Sequence, residues 1–266
     1  MSAKSRDVNY LRDEQYKSGV NLSARIALHT RFSTSPVDWY TWVFDQYDAP
    51  DNAKVLELGA GTGGLWKAKF DRVPAGWQIT LSDFSPGMVE EQQRNLKDAP
   101  HPFKFEVINA ESIPYEDQHF DMVIANHMLY HVPDLPKAIA EIRRVLKPGG
   151  RLYAATNGVR HMHELDELAR GYDPSTENLV DALKFTLEDG ADQLAAAFRN
   201  VDVRRYDDAL VVTEVEPIVA YILSGWRGKF LNSESAVADF AAYIDREMKK
   251  TGAIHINKAV GMFVAW

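Results

Sequence analysis

The chain contains no cysteine. Disulfides, thiolate metal sites and a cysteine nucleophile are therefore excluded. No apolar run approaches the ~20 residues needed to cross a bilayer. The opening Met1-Ser2-Ala3-Lys4-Ser5-Arg6-Asp7 is polar, with no apolar signal core behind it. Positive charge is also scarce: 30 Lys and Arg stand against 38 Asp and Glu, a formal net charge of −8. The average surface therefore repels phosphate backbones and anionic lipid. These absences lead to the expectation of a cytoplasmic protein with no nucleic-acid or membrane partner. Internal repeats, low-complexity tracts and long linkers are missing as well.

What is present is enough for a sizeable core: 266 residues, 45% of them hydrophobic and 11% aromatic. The chain is organised around Val55-Leu56-Glu57-Leu58-Gly59-Ala60-Gly61-Thr62-Gly63-Gly64-Leu65-Trp66. Its apolar start reads as a buried parallel strand. The glycines that follow let backbone pass close to a ligand, because no Cβ intervenes. A helix starting near Gly64 would offer unpaired N–H groups. Gly59-x-Gly61-x-x-Gly64 matches the dinucleotide fingerprint, and an acid, Asp83, closes a second apolar segment at Gln78–Ser82. Such an acid would take the ribose hydroxyls of either a nicotinamide dinucleotide or S-adenosylmethionine.

Along the chain, strands are expected at Lys54–Leu58, Gln78–Ser82, Phe103–Ile108, Phe120–Ala125, Arg151–Thr156, Val201–Tyr206 and Lys258–Trp266. Helices are expected over Leu22–His29, Val37–Tyr47 (with Ser35 as its N-cap before Pro36), from Gly64 to about Phe70, and from Pro86 to about Lys97. Further helices are expected over Pro136–Leu146, His161–Ala169, Leu179–Leu183, from Gly190 through Phe198, Glu214–Leu223 and Ser235–Lys250. Strand–helix alternation implies a doubly wound parallel sheet, with ligands at the carboxyl ends of the strands. Gly59–Gly63, Asp83, Asn109–Glu111, Asn126–His131 and Asn157 all collect there.

At these residues the chain resembles the class I S-adenosylmethionine-dependent methyltransferases. Val55–Gly63 is similar to that family's first motif, and Leu81–Phe84, with Asp83, to its second-strand acid. Ala110-Glu111-Ser112-Ile113-Pro114-Tyr115 follows the third strand in the same way. Phe120-Asp121-Met122-Val123 with His127-Met128-Leu129-Tyr130-His131-Val132 matches the fourth motif. Val145-Leu146-Lys147-Pro148-Gly149-Gly150-Arg151-Leu152 matches the approach to strand five. Together they cover about 100 residues in the family's order. A dehydrogenase reading accounts for neither the Leu-Lys-Pro-Gly-Gly turn nor the tail.

The resemblance implies an α/β, Rossmann-like, doubly wound seven-stranded sheet whose last strand, 258–266, is antiparallel. It implies one methyltransferase domain: an N-terminal helical cap at 1–34, a cofactor core at 54–156, and helical insertions at 157–200 and 208–257 that form a lid over a small-molecule acceptor. S-adenosyl-L-methionine is the implied cofactor. Glu57, Gly59, Ala60 and Gly61 would line its methionine end and Asp83 would hold both ribose hydroxyls. Phe84 and Met88 would lie against the adenine, Asn109, Ala110 and Glu111 at the adenine edge, and Asn126 by the sulfonium. Similar proteins often carry Asp where this chain has Asn109, whose amide can still donate and accept hydrogen bonds.

Transfer of an already activated methyl group needs mainly alignment, and a base where the acceptor must lose a proton. His127 and His131 lie just past strand four, and histidine titrates near neutrality. A metal face on this pair is not expected, because no carboxylate completes it nearby. Tyr16, Tyr130, Asn157, His161 and Trp226 are the acceptor-site candidates, with Tyr10, Arg25, His29, Phe32, Arg160, His163, Arg227 and Phe230 behind them. The expected reaction is methylation of an O or N atom of a metabolite, a carbon acceptor remaining open. A protein or tRNA methyltransferase, or a cofactor-binding regulator that transfers nothing, are the alternatives.

Overall fold

The computed structural model describes residues 20–176, 183–225, 228 and 230–266. Tyr10, Tyr16, Trp226, Arg227 and nearly all of the helix expected over 179–183 lie outside the described residues. Strands β1 (Lys54–Glu57), β2 (Gln78–Asp83), β3 (Phe103–Val107), β4 (Phe120–Ile124), β5 (Leu146–Asn157) and β6 (Val201–Tyr206) follow the expected order. With β9 (Val260–Ala265) they form a seven-stranded sheet in the order β3-β2-β1-β4-β5-β9-β6. The five strands from β3 to β5 are parallel, and β9 runs antiparallel to both its neighbours. The span of β5 takes in the Lys147–Gly150 turn, where the register against β4 jumps from Phe120↔Leu146 to Met122↔Arg151 and Gly149 has φ +79°.

Successive residues of a strand face opposite sides of a sheet. Leu56, Val123, Leu152, Ala154 and Phe263 accordingly enter one core, while Val55, Met122, Ile124, Tyr153, Ala155 and Met262 enter the other. Helices cover both faces, so these strands read as continuous apolar runs rather than alternating ones. On the first face sits α5 (Leu135–Val145), burying Ala138, Ile139, Ile142 and Val145, with α7 (Gly190–Ala195) burying Leu194. On the second sit α2 (Trp39–Asp45) and α3 (Gly64–Ala68), burying Val43, Phe44, Leu65 and Trp66. The helix α4 (Pro86–Asn95) follows β2.

A third core stands apart from the sheet. It joins α1 (Val20–Phe32) to α6 (His163–Tyr172), β7 (Ala209–Val212), α8 (Val215–Leu223), α9 (Glu234–Thr251) and β8 (Ile254–Asn257), through Leu28, Phe32, Leu165, Leu210, Ile218, Ile222, Phe240, Ile244 and Ile256. β7 and β8 pair antiparallel as a separate two-stranded sheet. The insertion at 208–257 is thus not purely helical, as had been expected: two four-residue strands, too short to show a period, close it at both ends. The cap of α2 also differs. Asp38, not Ser35, accepts the Thr41 N–H at 3.0 Å. Ser35 donates its own N–H to the Asp208 carboxylate at 3.1 Å, alongside the Thr34 N–H and the Ser33 hydroxyl. A contact across the chain thus takes precedence over a local capping signal.

Candidate functional site

Between β1 and α3 the backbone takes left-handed values at Gly59 (φ +66°), Gly61 (+57°) and Gly63 (+76°). The turn is pinned by the Ala60 N–H donating to the Ser82 carbonyl at 2.8 Å and by Gln92 Nε2 donating to the Gly61 carbonyl at 2.9 Å. Part of the glycine requirement is packing: a Cβ on Gly59 would stand 2.7 Å from Met128 Cβ. The helix that follows is only five residues long.

Two carboxyls face this turn. Asp83 accepts the Gly61 N–H at 3.1 Å and the Ser85 N–H at 2.9 Å. Burial outweighs these bonds and raises its pKa to about 6. Glu57 is buried, accepts the Trp66 indole N–H and lies 3.4 Å from Asn126 Nδ2. Burial again dominates, opposed by those two donors and reinforced by the Asp83 charge, and lifts its pKa to about 7. Asn126 also donates to Tyr47 Oη at 3.0 Å, and its Oδ1 is buried with no hydrogen-bond partner.

Other expected cofactor contacts are distributed unevenly. Phe84 is exposed at the rim (38%), whereas Met88 is enclosed (1%) and presents no open face. Ala110 is buried; exposed Asn109 folds its Oδ1 onto the Glu111 N–H at 2.9 Å. Glu111 accepts the Asp134 N–H at 2.7 Å, which ties one of its oxygens to the start of α5. Sequence reasoning missed Tyr40 and Tyr47, which come from α2 and its exit. The Tyr40 hydroxyl lies 2.7 Å from where a Gly64 Cβ would be. The only signal for them was the aromatic spacing of that helix, which reads equally as core.

Beyond Asn126, His127 has φ +55°, unusual for a residue with a Cβ. Its ring lies 5.3 Å from Trp39 and 6.4 Å from Tyr130, which in turn is 4.5 Å from His131. On α1, His29 is 6.3 Å from His161 and 6.0 Å from Tyr221. Burial lowers the pKa of His29 to about 3, with the Lys258 charge adding to it. The same two causes lower His127 to about 4, and burial with the Arg25 charge does so for His131. All three imidazoles are neutral at physiological pH. Asn157, at the end of β5, has a buried Oδ1 without a hydrogen-bond partner, as does His29 at Nδ1. Arg160 and His163 pair with each other at 2.8 Å on an exposed edge instead.

Residues 56–154 match the family model of a methyltransferase domain. The ubiquinone/menaquinone biosynthesis C-methyltransferase UbiE of Psychromonas ingrahamii is 38% identical over 117 residues, 43% of this chain and 46% of that protein. A highly reducing polyketide synthase, verA of Penicillium polonicum, is 35% identical over 104 residues, 37% of this chain and 4% of that protein. The chain therefore spans less than half the length of these curated relatives. Among solved structures, the 4+2 cyclase SpnF aligns with TM-score 0.60 at 20% identity, covering 98% of this chain and 96% of that one. Phosphoethanolamine N-methyltransferase 2 of Haemonchus contortus, in complex with S-adenosyl-L-methionine, aligns with TM-score 0.60 at 19% identity, covering 98% and 59%. These likenesses show a shared fold. One fold serving a cyclase and a methyltransferase leaves the reaction to be argued from the site.

Proposed function

We propose that this chain, whose residues 56–154 form a class I S-adenosylmethionine-dependent methyltransferase core, transfers the methyl group to an O or N atom of a small molecule held in the recess beyond Asn126. The residues present suit the cofactor. Asp83 offers a carboxylate at the end of β2, the left-handed glycine turn lies beside it, and among the described residues Asn126 Oδ1 is a buried acceptor without a partner. That arrangement is the single observation that carries the reading. Glu57 and Asn126 would orient the methionine end, Asp83 the ribose, and Phe84 the adenine from the rim.

When bound, S-adenosylmethionine supplies an electrophilic methyl group: the acceptor's lone pair forms the new bond, the carbon–sulfur bond breaks, and its electron pair stays on sulfur in S-adenosylhomocysteine. The recess does the rest by positioning. His127 stands nearest the Asn126–Glu57 pair in the chain and is neutral, so it can accept the acceptor's hydrogen and orient its lone pair. With a pKa of about 4 it is a weak base, suited to holding a proton bond rather than storing the proton. In this reading the described part of the N-terminal segment, 20–34, serves as cap, and the described parts of 157–200 and 208–257 serve as walls, of one domain.

A carbon acceptor is the second reading. It is favoured by the printed name of the UbiE relative, a C-methyltransferase whose match covers the cofactor half of the chain. The test is calorimetric titration with S-adenosylmethionine, with NADH and the Asp83→Ala variant as controls, followed by labelled-methyl transfer to a metabolite panel and NMR of the product. Binding that is lost in the variant, and a label on O or N, support the reading. A carbon-linked label selects the second reading. Transfer only to tRNA or protein overturns both, and binding without transfer to any acceptor leaves a regulatory module.

A further inference from the structure

We propose that the recess takes a small aromatic acid, an acceptor whose carboxylate is held by Arg25 and whose hydroxyl or amino group reaches the unpartnered polar atoms of His29 and Asn157. The inference rests on the methyl-transfer reading and names its acceptor class. Arg25 is half-buried on α1. Its guanidinium is fixed by one residue: Nε donates to Ser224 Oγ at 3.1 Å and Nη2 to the Ser224 carbonyl at 2.8 Å. Ser224 Oγ is itself held, donating to the Tyr221 carbonyl at 2.7 Å. Among the described residues two of arginine's five N–H donors are thus used.

Some arginines here are matched by carboxylates, Arg31 by Glu214 at 2.6 Å, Arg72 by Asp45 at 2.7 Å and Arg144 by Glu141 at 2.7 Å, whereas Arg143 and Arg204, like Arg25, meet neutral acceptors. Among the described residues no carboxylate pairs with Arg25. It is tied to His29 through Ser224, whose hydroxyl donates to the carbonyl of Tyr221, the residue whose ring lies 6.0 Å from His29. A preoriented guanidinium is suited to bidentate recognition of a carboxylate.

His29 lies one helical turn beyond Arg25, so both project from the same side of α1. Its Nδ1 and the Asn157 Oδ1 are buried and have no hydrogen-bond partner. Leaving such atoms unpaired is costly, and a hydroxyl or amine on the acceptor would satisfy them. Aromatic rings adjoin the histidines: Trp39 packs against His127, Tyr130 against His131, and Tyr221 against His29. The nearby carboxylate of Asp208 is already paired with Lys258, both almost wholly buried. A protonated amine in the same place would meet the Arg25 charge.

The test is titration of the full chain, saturated with S-adenosylhomocysteine, with 2-hydroxybenzoate, 4-hydroxybenzoate and 4-aminobenzoate, against phenol and tyramine. At least one of the acids should bind about tenfold or more tightly than phenol or tyramine. Arg25→Met should remove that preference and Arg25→Lys retain part of it, both with unchanged affinity for S-adenosylhomocysteine. The unchanged affinity certifies that the variants are folded. Acids that bind no better than phenol, or a preference that survives Arg25→Met, overturn the proposal. Failure of S-adenosylhomocysteine to bind the unmodified chain overturns the methyl-transfer reading beneath it.

Discussion

Asp83 and Glu57 are both carboxyls whose pKa values burial has raised, yet they make different predictions. Asp83 can accept ribose hydroxyls fully only when ionised. Charged hydrogen bonds contribute about 1.5–3 kcal/mol each, so Asp83→Ala should weaken S-adenosylmethionine binding about 100-fold or more, with Asp83→Asn in between. Affinity should also decline as pH falls through about 6, the pKa of Asp83 in the ligand-free protein. Titrations at pH 5 and 8 check both. Glu57, with a pKa of about 7, is half-protonated near neutrality. A sulfonium beside it favours the ionised form. Binding at pH 7 should therefore release about 0.5 proton, read as a dependence of the apparent enthalpy on buffer ionisation heat. The Glu57→Gln variant should release none from this site. At His127, replacement by Ala should lower kcat about 100-fold without changing cofactor affinity. Because its pKa is about 4, the rate should show no histidine limb near pH 6.5. A limb there, lost in the variant, would assign the proton to a far more basic imidazole than the one described.

The helix α1 carries Arg25 and His29, and its attachment is electrostatic as well as apolar. Asp208 accepts from Ser33, Thr34 and Ser35 at the end of α1 and pairs with Lys258 between β8 and β9. Burial pushes the Asp208 carboxyl up, but the hydrogen bonds from Lys258 and Ser33 outweigh it and hold it below the ordinary value. Removing one partner of a buried pair strands the other charge, at about 3–5 kcal/mol. Asp208→Ala should lower the unfolding free energy by that order in denaturant titrations. Faster amide exchange in α1 should accompany the loss, because the same carboxylate holds the backbone that leads out of it. Exchange confined to β9 would place the pair's role in the sheet instead.

At the scale of the molecule, acid stability combines these groups. His29, His127 and His131 have folded pKa values below the unfolded one, so the unfolded chain binds more protons and their contribution is lost as pH falls below about 6.5. Glu57 and Asp83 act in the opposite sense: their raised values favour the folded state at low pH, a contribution lost as pH rises through about 6 to 7. Three histidines outweigh two carboxyls. Stability should therefore rise between pH 4 and 6.5 with a net uptake of about one proton on unfolding near pH 5.5. The slope should steepen with S-adenosylmethionine bound, when both carboxyls are held ionised. Denaturant midpoints across that range check the sign.

The sequence by itself determined the sheet's strands, the glycine turn, the acid at the end of β2 and the cluster of polar residues at the carboxyl edge. Each is written in a short window, as an apolar run ended by glycine or an acid, and parallel strands buried on both faces cannot be written otherwise. Only the tertiary structure decided which side chains complete the site. Trp66 and Tyr47 meet Glu57 and Asn126, Tyr40 approaches Gly64, Asp208 overrides Ser35 as the local organiser, and Ser224 fixes the Arg25 guanidinium on a helix that packs in the third core. The pairing of β7 with β8 belongs to the same class, joining residues more than forty positions apart. Periodicity reports which face of an element is apolar. It carries no information on which distant element that face meets, and the contacts of Glu57, Asn126 and Asp208 are made where such elements meet.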